Sequence, residues 1–373
     1  MRKPSRPAVV GILLGALAAA GVLAWLPRLA GSPSGPMMDE GGSALSAVVI
    51  QYSTGADAAA DVYRSFLPQL DARVKVYAAC TTRTAFDELA GRVGAIKCQL
   101  IPVVVDHAIT AWSRDRWVAL LPEGDGPTTL LCPRGENGAG VWPARLGDEK
   151  IAFDLSQKIA HVAARRSILD FDAGDLLADG DTVFVTPAVL RRNVQQTVEN
   201  PTAVADELAR ELHRKIVLLD TAPDHHAGMY MMPAGDHTML VADPGMARAL
   251  LDAAGDATRL PPLPGGADFT SATQATFDAV ARQTAALGYK VVRIPAAPAV
   301  DGKTYLTYVN VIIETVAGQR IVYMPTYRGA EVLNDAAAAV WRGLGYRVCT
   351  VDCTSCYTSY GSLHCLVNVL ARE

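Results

Sequence analysis

Gly361-Ser362-Leu363-His364-Cys365-Leu366-Val367-Asn368 places a cysteine after a small-residue turn and before a short apolar strand. A thiol held at the mouth of a strand by such a turn is well placed to attack a substrate, because loops on a rigid scaffold position reactive groups. Working outward from this stretch, the same order of polar loop and apolar strand recurs upstream. Trp117 to Leu121 pairs with Thr128 to Cys132, Val183 to Thr186 leads into a helix, Met229 to Pro233 pairs with Thr238 to Ala242, and Val309 to Thr315 pairs with Arg320 to Pro325. The polar residues just before these strands are Asp115, Asp172 with Asp175, His226, Asn310 and Cys365. Counted from Asp115 through Asp172, His226 and Asn310 to Cys365, the separations are 57, 54, 84 and 55 residues. The long interval contains Leu260-Pro261-Pro262-Leu263-Pro264-Gly265-Gly266, a Pro/Gly-rich insertion expected to supply the surplus.

Short β-branched runs alternate with Ala-rich helical stretches from Ala47 onward: Ala47 to Tyr52, Ala58 to Leu67, Val74 to Ala78 and Ala85 to Val93. Further helices are expected at Leu155 to Ala164, Ala203 to His213, Met246 to Ala254, Ala272 to Leu287 and Asp335 to Leu344. The fold class is therefore α/β. A repeat that presents its polar loop at the same point of each unit, once closed into a ring, brings five loops to one central cavity.

The chain has 373 residues, 50% of them apolar and 19% charged, enough for a full core in one large or two ordinary domains. A net charge of −4 and scattered Lys and Arg give no basic face, which excludes a nucleic-acid partner. Arg2, Lys3 and Arg6 precede an uncharged run from Ala8 to Leu26. At ~1.5 Å per helical residue this run spans about 28 Å, long enough for a membrane-spanning helix. Residues 1–30 thus read as a signal anchor, in preference to a cleaved signal peptide, with Arg28 standing where a small residue would be wanted for cleavage. Gly31 to Gly42 makes 31–45 a flexible linker, and 46–373 is the catalytic body. The expected location is membrane-anchored on the extracytoplasmic side, or secreted.

Seven cysteines, an odd number, leave at least one thiol unpaired in an oxidising compartment. The reading favours Cys365 as the unpaired thiol and a disulfide among Cys349, Cys353 and Cys356. A zinc site using those three with His364 is the lesser alternative, and an iron–sulfur cluster on their C-x3-C-x2-C spacing is disfavoured by export.

Asp115 in Trp112-Ser113-Arg114-Asp115-Arg116-Trp117 is expected near a strand start, and Asp172 and Asp175 lie in the loop Leu169-Asp170-Phe171-Asp172-Ala173-Gly174-Asp175. Two carboxylates from separate loops facing one cavity suit a planar cation held by paired charge-assisted hydrogen bonds, as a guanidinium requires. Asp224-His225-His226 holds the only adjacent histidine pair, and either imidazole could act as general acid and base.

Taken together, Trp-x-Arg-Asp before a strand, an acidic loop with glycine, His226 before a strand, Tyr308-Val309-Asn310 and the terminal Gly-Ser-x-His-Cys resemble the guanidino-group-modifying enzymes of the pentein fold. The agmatine deiminase and protein-arginine deiminase branches are nearest, and the resemblance covers Ala47 to Glu373. It implies a five-bladed pseudo-symmetric α/β propeller, here with an N-terminal membrane-spanning helix. It further implies Cys365 as nucleophile, His226 as proton shuttle and Asp115 as a carboxylate gripping the guanidinium, with Trp112, Asp172, Asp175 and Asn310 at substrate-binding positions. No metal or organic cofactor takes part in that chemistry, and the implied partner is a small guanidine or an arginine-containing peptide. One of the family's paired glycines is Ala173 here. Where the family has His-x-Asp, this chain has His226-Ala227-Gly228, so one clamping carboxylate is missing. That loss costs on the order of 2 to 4 kcal/mol of binding, and Asp224, two residues before His226, would have to compensate from a different direction. The expected activity is deimination of a guanidino group to a ureido group and ammonia. A weakened pentein that only binds guanidino ligands, or an amidinotransferase, is the alternative.

Overall fold

The computed structural model describes residues 34–135, 143–255 and 260–373. In chain order, β1 (Ser34–Met37) and β2 (Leu45–Tyr52) precede α1 (Asp57–Phe66), β3 (Lys75–Cys80), α2 (Arg83–Val93) and β4 (Gln99–Val104). Next come β5 (Val118–Pro122), β6 (Thr128–Cys132), α3 (Pro143–Lys158) and β7 (Val162–Arg166). They lead to β8 (Leu176–Asp179), β9 (Thr182–Val185), α4 (Pro187–Asn193), α5 (Pro201–Leu212) and β10 (Lys215–Leu218). The following unit holds β11 (Met231–Pro233), β12 (Thr238–Asp243), α6 (Pro244–Ala254), α7 (Ser271–Ala286) and β13 (Lys290–Pro295). A ribbon of β14 (Ala297–Pro298) and β15 (Tyr305–Leu306) enters β16 (Ile312–Val316), β17 (Gln319–Thr326), α8 (Glu331–Gly343) and β18 (Arg347–Asp352). Then α9 (Leu363–Leu366) and β19 (Val367–Arg372) end the chain.

Five sheets of three or four strands repeat one plan among the described residues. Two strands pair antiparallel (β19 with β2, β5 with β6, β8 with β9, β11 with β12, β16 with β17), and the next lies parallel to the second after a helical crossover. An antiparallel pair needs only a hairpin, whereas a parallel one needs a crossover, and this fixes where the helices must fall. Local chemistry agrees: Thr82, Asn200, Asp243 and Thr270 cap helices by accepting from the backbone N–H three residues on. The β19–β2 pair, Val367 opposite Ile50, joins the last strand to the first long one and shuts the ring.

Three expectations are corrected. Among the described residues no helix is long and apolar enough to cross a membrane. The longest, α3 and α7, have 16 residues, about 24 Å at the helical rise, and α3 carries charge throughout. Among the described residues the fold is thus an α/β ring with no membrane-spanning helix, and no membrane partner follows from it; the expected span, Ala8 to Leu26, lies outside the described residues. The linker expected over 31–45 is in part structure, since Ser34–Met37 pairs antiparallel with β5 and Glu40 is buried. The helix expected at Leu155 to Ala164 is displaced: α3 runs Pro143–Lys158, and Val162–Arg166 is β7, parallel to β6. The buried face of α3 carries Asp148 and Glu149 beside Ile151, Ala152 and Leu155, which erases the apolar stripe a sequence reading looks for. The surplus between His226 and Asn310 is shared by the paired helices α6 and α7 and by the β14–β15 ribbon.

Candidate active site

Each sheet's leading strand is preceded by one of the polar loops, so Asp115, Asp172, His226, Asn310 and Cys365 stand at equivalent positions around the hub. Cys365 lies in α9 and is 4% exposed. Asn310 holds it from two sides, donating from Nδ2 to Sγ at 3.5 Å and accepting the Cys365 N–H at Oδ1, 3.4 Å. The same Nδ2 donates to the Gly228 carbonyl at 3.0 Å. Gly361 is required in the turn before α9, because a Cβ there would stand 2.5 Å from the Trp112 ring and 3.2 Å from Cys365 Cβ.

His226 Nε2 is 3.6 Å from Asp172 Oδ2, and the imidazole also bonds the Cys365 side chain. Burial opposes its charge, but the bonds to Asp172 and Cys365 and the fields of Asp115 and Asp175 raise its pKa well above the usual 6.5. The neighbouring His225 goes the other way: burial, then repulsion from His226, lowers it to about 3. The charged form is thus favoured for His226 and the neutral form for His225, whose Nδ1 accepts the backbone N–H of His226 at 2.7 Å.

Asp172 is ringed by cations. Arg116 Nη1 lies at 3.2 Å and Arg192 Nη1 at 2.9 Å, and Arg145 Nη2 bonds its Oδ1. Burial opposes its ionisation, yet His226 and the arginines hold its pKa well below the usual carboxylate value. Asp115 accepts from Arg145 Nη1 at 2.7 Å, and burial raises its pKa despite His226 and Arg145. Asp175 is structural in its contacts: it accepts from the Asp172 N–H at 3.2 Å and Thr186 Oγ1 at 3.0 Å, and pairs with Arg192. A cleft of about 520 Å³ opens onto this group, lined by Asp172, Asp175, Arg192, His226, Lys303 and Tyr360.

Trp112 stands on the other side of Tyr360, in a more apolar cleft of about 550 Å³ with Cys356 and Leu366. Asp224 does not replace the missing clamp; its side chain is 83% exposed and pairs with Arg191 at the rim. Gly228 faces inward, and a Cβ there would be 3.1 Å from His364 Nδ1 and 3.4 Å from Asn310 Nδ2.

Sequence reasoning missed the layer behind the thiol. His364 Nε2 bonds Glu40 Oε2 at 2.9 Å, Glu40 Oε1 accepts from Arg114 Nη2 at 2.5 Å, and Arg114 Nη1 reaches Asn368 Oδ1 at 3.3 Å. Burial would raise the Glu40 pKa, but Arg114 and His364 bring it down to about 2. It also missed Arg145 and Asp148. Asp148 accepts from the Thr110 N–H at 2.8 Å, Thr110 Oγ1 at 2.7 Å and Gln51 Nε2 at 2.9 Å, and burial raises its pKa to about 6. All seven cysteines are buried thiols, so the disulfide expected among Cys349, Cys353 and Cys356 is not formed; Cys356 Sγ instead donates to the Cys353 carbonyl at 3.4 Å. Among the described residues no group of three or more His, Cys, Asp or Glu is placed to hold a metal ion, which removes the zinc alternative.

No protein-family model and no curated protein matches the chain. Solved structures do. An agmatine deiminase from C. jejuni superposes with a TM-score of 0.66 at 14% identity, covering 91% of this chain and 97% of that one. A Cys-to-Ser form of the same enzyme with substrate bound gives 0.65 at 13% identity, covering 91% and 97%. Agmatine deiminase of Enterococcus faecalis gives 0.65 at 15%, covering 92% and 99%. The likeness covers 91–92% of this chain, and on it the chain is an α/β protein with a pentein-like fold.

Proposed function

We propose that the protein hydrolyses a guanidino group to a ureido group and ammonia through a covalent intermediate on Cys365. The observation that carries this reading is the convergence of a buried thiol, an imidazole and two carboxylates from four different loops: the His226 ring bonds the Cys365 side chain and lies 3.6 Å from Asp172, and Arg145 joins Asp172 to Asp115. Cys365 gives up its thiol proton to solvent as the sulfur attacks the guanidinium carbon and forms a C–S bond, giving a tetrahedral adduct. Its C–N bond then breaks, and the departing nitrogen takes the proton held on His226, so ammonia leaves. Neutral His226 next accepts a proton from water as that water adds to the thiouronium carbon. The adduct's hydroxyl proton passes to the sulfur as the C–S bond breaks, which releases the ureido product and restores the thiol. Asn310 orients the sulfur, while Asp115 and Asp172 face the cation. The likeness to agmatine deiminases, one of them solved with substrate, supports a small guanidine; agmatine, arginine derivatives and peptidyl arginine are the substrates to compare.

The parent protein is expected to release ammonia from at least one of agmatine, arginine and an arginyl peptide, and Cys365→Ala to release none. Equal release by both removes Cys365 as nucleophile. A second reading, a protein that binds guanidines without turning them over, is favoured by Gly228, which leaves one side of the clamp without a carboxylate. Saturable binding of agmatine without ammonia release would select it.

A further inference from the structure

The two-carboxylate clamp that suits a guanidinium is built, and a guanidinium of the chain itself lies in it. Arg145 stands in the first turn of α3. Its Nη1 donates to Asp115 Oδ2 at 2.7 Å while Nη2 donates to Asp172 Oδ1, so one planar group bridges carboxylates from two separate loops. The bridge is largely shielded: the side chains of Arg145, Asp115 and Asp172 are 21%, 11% and 14% exposed. Asp172 is also paired with Arg116 and Arg192. A guanidinium arriving from solvent therefore meets two acids already paired with arginine. An incoming guanidinium that used the clamp would need the Asp115 and Asp172 oxygens that Arg145 now holds, so the two compete for the same hydrogen bonds.

Resting on the proposed deimination, we infer that Arg145 is a specificity-determining residue that holds the substrate's guanidinium place in the unliganded protein. Binding is an exchange in which Arg145 releases Asp115 as the incoming guanidinium takes it. The site accordingly discriminates against small guanidines that gain nothing beyond the clamp, because each must displace a tethered competitor of identical hydrogen-bonding geometry.

The test uses Cys365→Ala protein, in which turnover is blocked, with and without Arg145→Ala, titrated with agmatine by calorimetry. Removal of Arg145 is expected to tighten agmatine binding by about tenfold or more, the scale of one charge-assisted hydrogen bond. Arg145→Gln, which keeps the bulk and the hydrogen-bonding capacity without the charge, is expected to show the same direction and covers the case in which Arg145→Ala fails to fold. As an independent readout, millimolar guanidinium chloride is expected to raise the melting temperature of Arg145→Ala relative to matched sodium chloride, and not that of the parent. Unchanged or weaker agmatine binding in a folded Arg145 variant overturns the exchange. Ammonia release is scored separately: tighter binding in a protein that deiminates nothing keeps the exchange and removes the deimination, whereas turnover with Arg145-independent affinity does the reverse.

Discussion

Gly174 offers the sharpest probe of the site, because the His226 ring lies directly over it. A Cβ at position 174 would stand 2.5 Å from Nδ1, 2.7 Å from Cγ and 3.1 Å from Cβ of His226. Ordinary contacts between such atoms are about 3.5 Å, so Gly174→Ala forces the imidazole back by roughly 1 Å. Crowding at both Cγ and Cβ means that rotating the ring in its own plane gives no relief; χ1 or the backbone must move. The backbone of Gly174 is not in the left-handed region, so alanine is conformationally allowed there and the effect is local. A displacement of ~1 Å of a general acid costs on the order of 100-fold in rate, about 2.7 kcal/mol of barrier. The assay is kcat for ammonia release, read beside the melting temperature, with Gly91→Ala in α2 as control because a Cβ there meets nothing within 4 Å. A Gly174→Ala protein that keeps kcat within about threefold of the parent would refute the assignment of His226 as proton carrier.

The Glu40 pKa of about 2, against an ordinary 4.5, corresponds to about 3 kcal/mol of stability at neutral pH. Because the folded value is depressed, that stability is present above pH 4.5 and is lost as pH falls towards 2; the melting-temperature gap between parent and Glu40→Gln should narrow across that window, and a constant gap contradicts the ion-pair account. His226 has a raised pKa, so its imidazolium persists as pH rises through 6.5 and deprotonates only above it. Asp172→Asn should therefore shift the alkaline limb of the kcat profile to lower pH, and an unmoved limb argues against imidazolium as the proton donor. Gly228→Asp restores a carboxylate beside His364 and Asn310; agmatine should bind about tenfold tighter or better, with some loss of melting temperature from the 3.1 Å contact, and weaker binding in a folded variant removes Gly228 as the missing clamp position.

The ring was legible because the inner strands of its repeat are largely buried and apolar. Leu45–Tyr52 is almost wholly apolar, and each polar loop announces the strand behind it. Cys365, His226, Asp115 and Asp172 stood out since a reactive group beside a turn and before an apolar run has a local signature. Arg145, Asp148 and Glu149 had none: they lie on a helix whose buried face is polar, where periodicity misplaces the helix itself. Glu40 sits in a Gly/Ser-rich stretch that composition reads as tether, and only its pairing with Arg114, 74 positions away, and His364, 324 away, gives it meaning. The state of His226 was likewise hidden, because it depends on acids contributed by other blades.

Closure of the ring by β19 against β2 couples assembly to chemistry. Until Val367–Arg372 arrives, β2 presents an unpaired edge of apolar residues, the kind of surface that recruits other chains, and the pairing it awaits spans most of the sequence. The segment that seals this edge is also the one that delivers the sulfur to its partners. A folding intermediate with an open seam would thus be both sticky and inert, so the onset of turnover during refolding should coincide with loss of dye-binding hydrophobic surface.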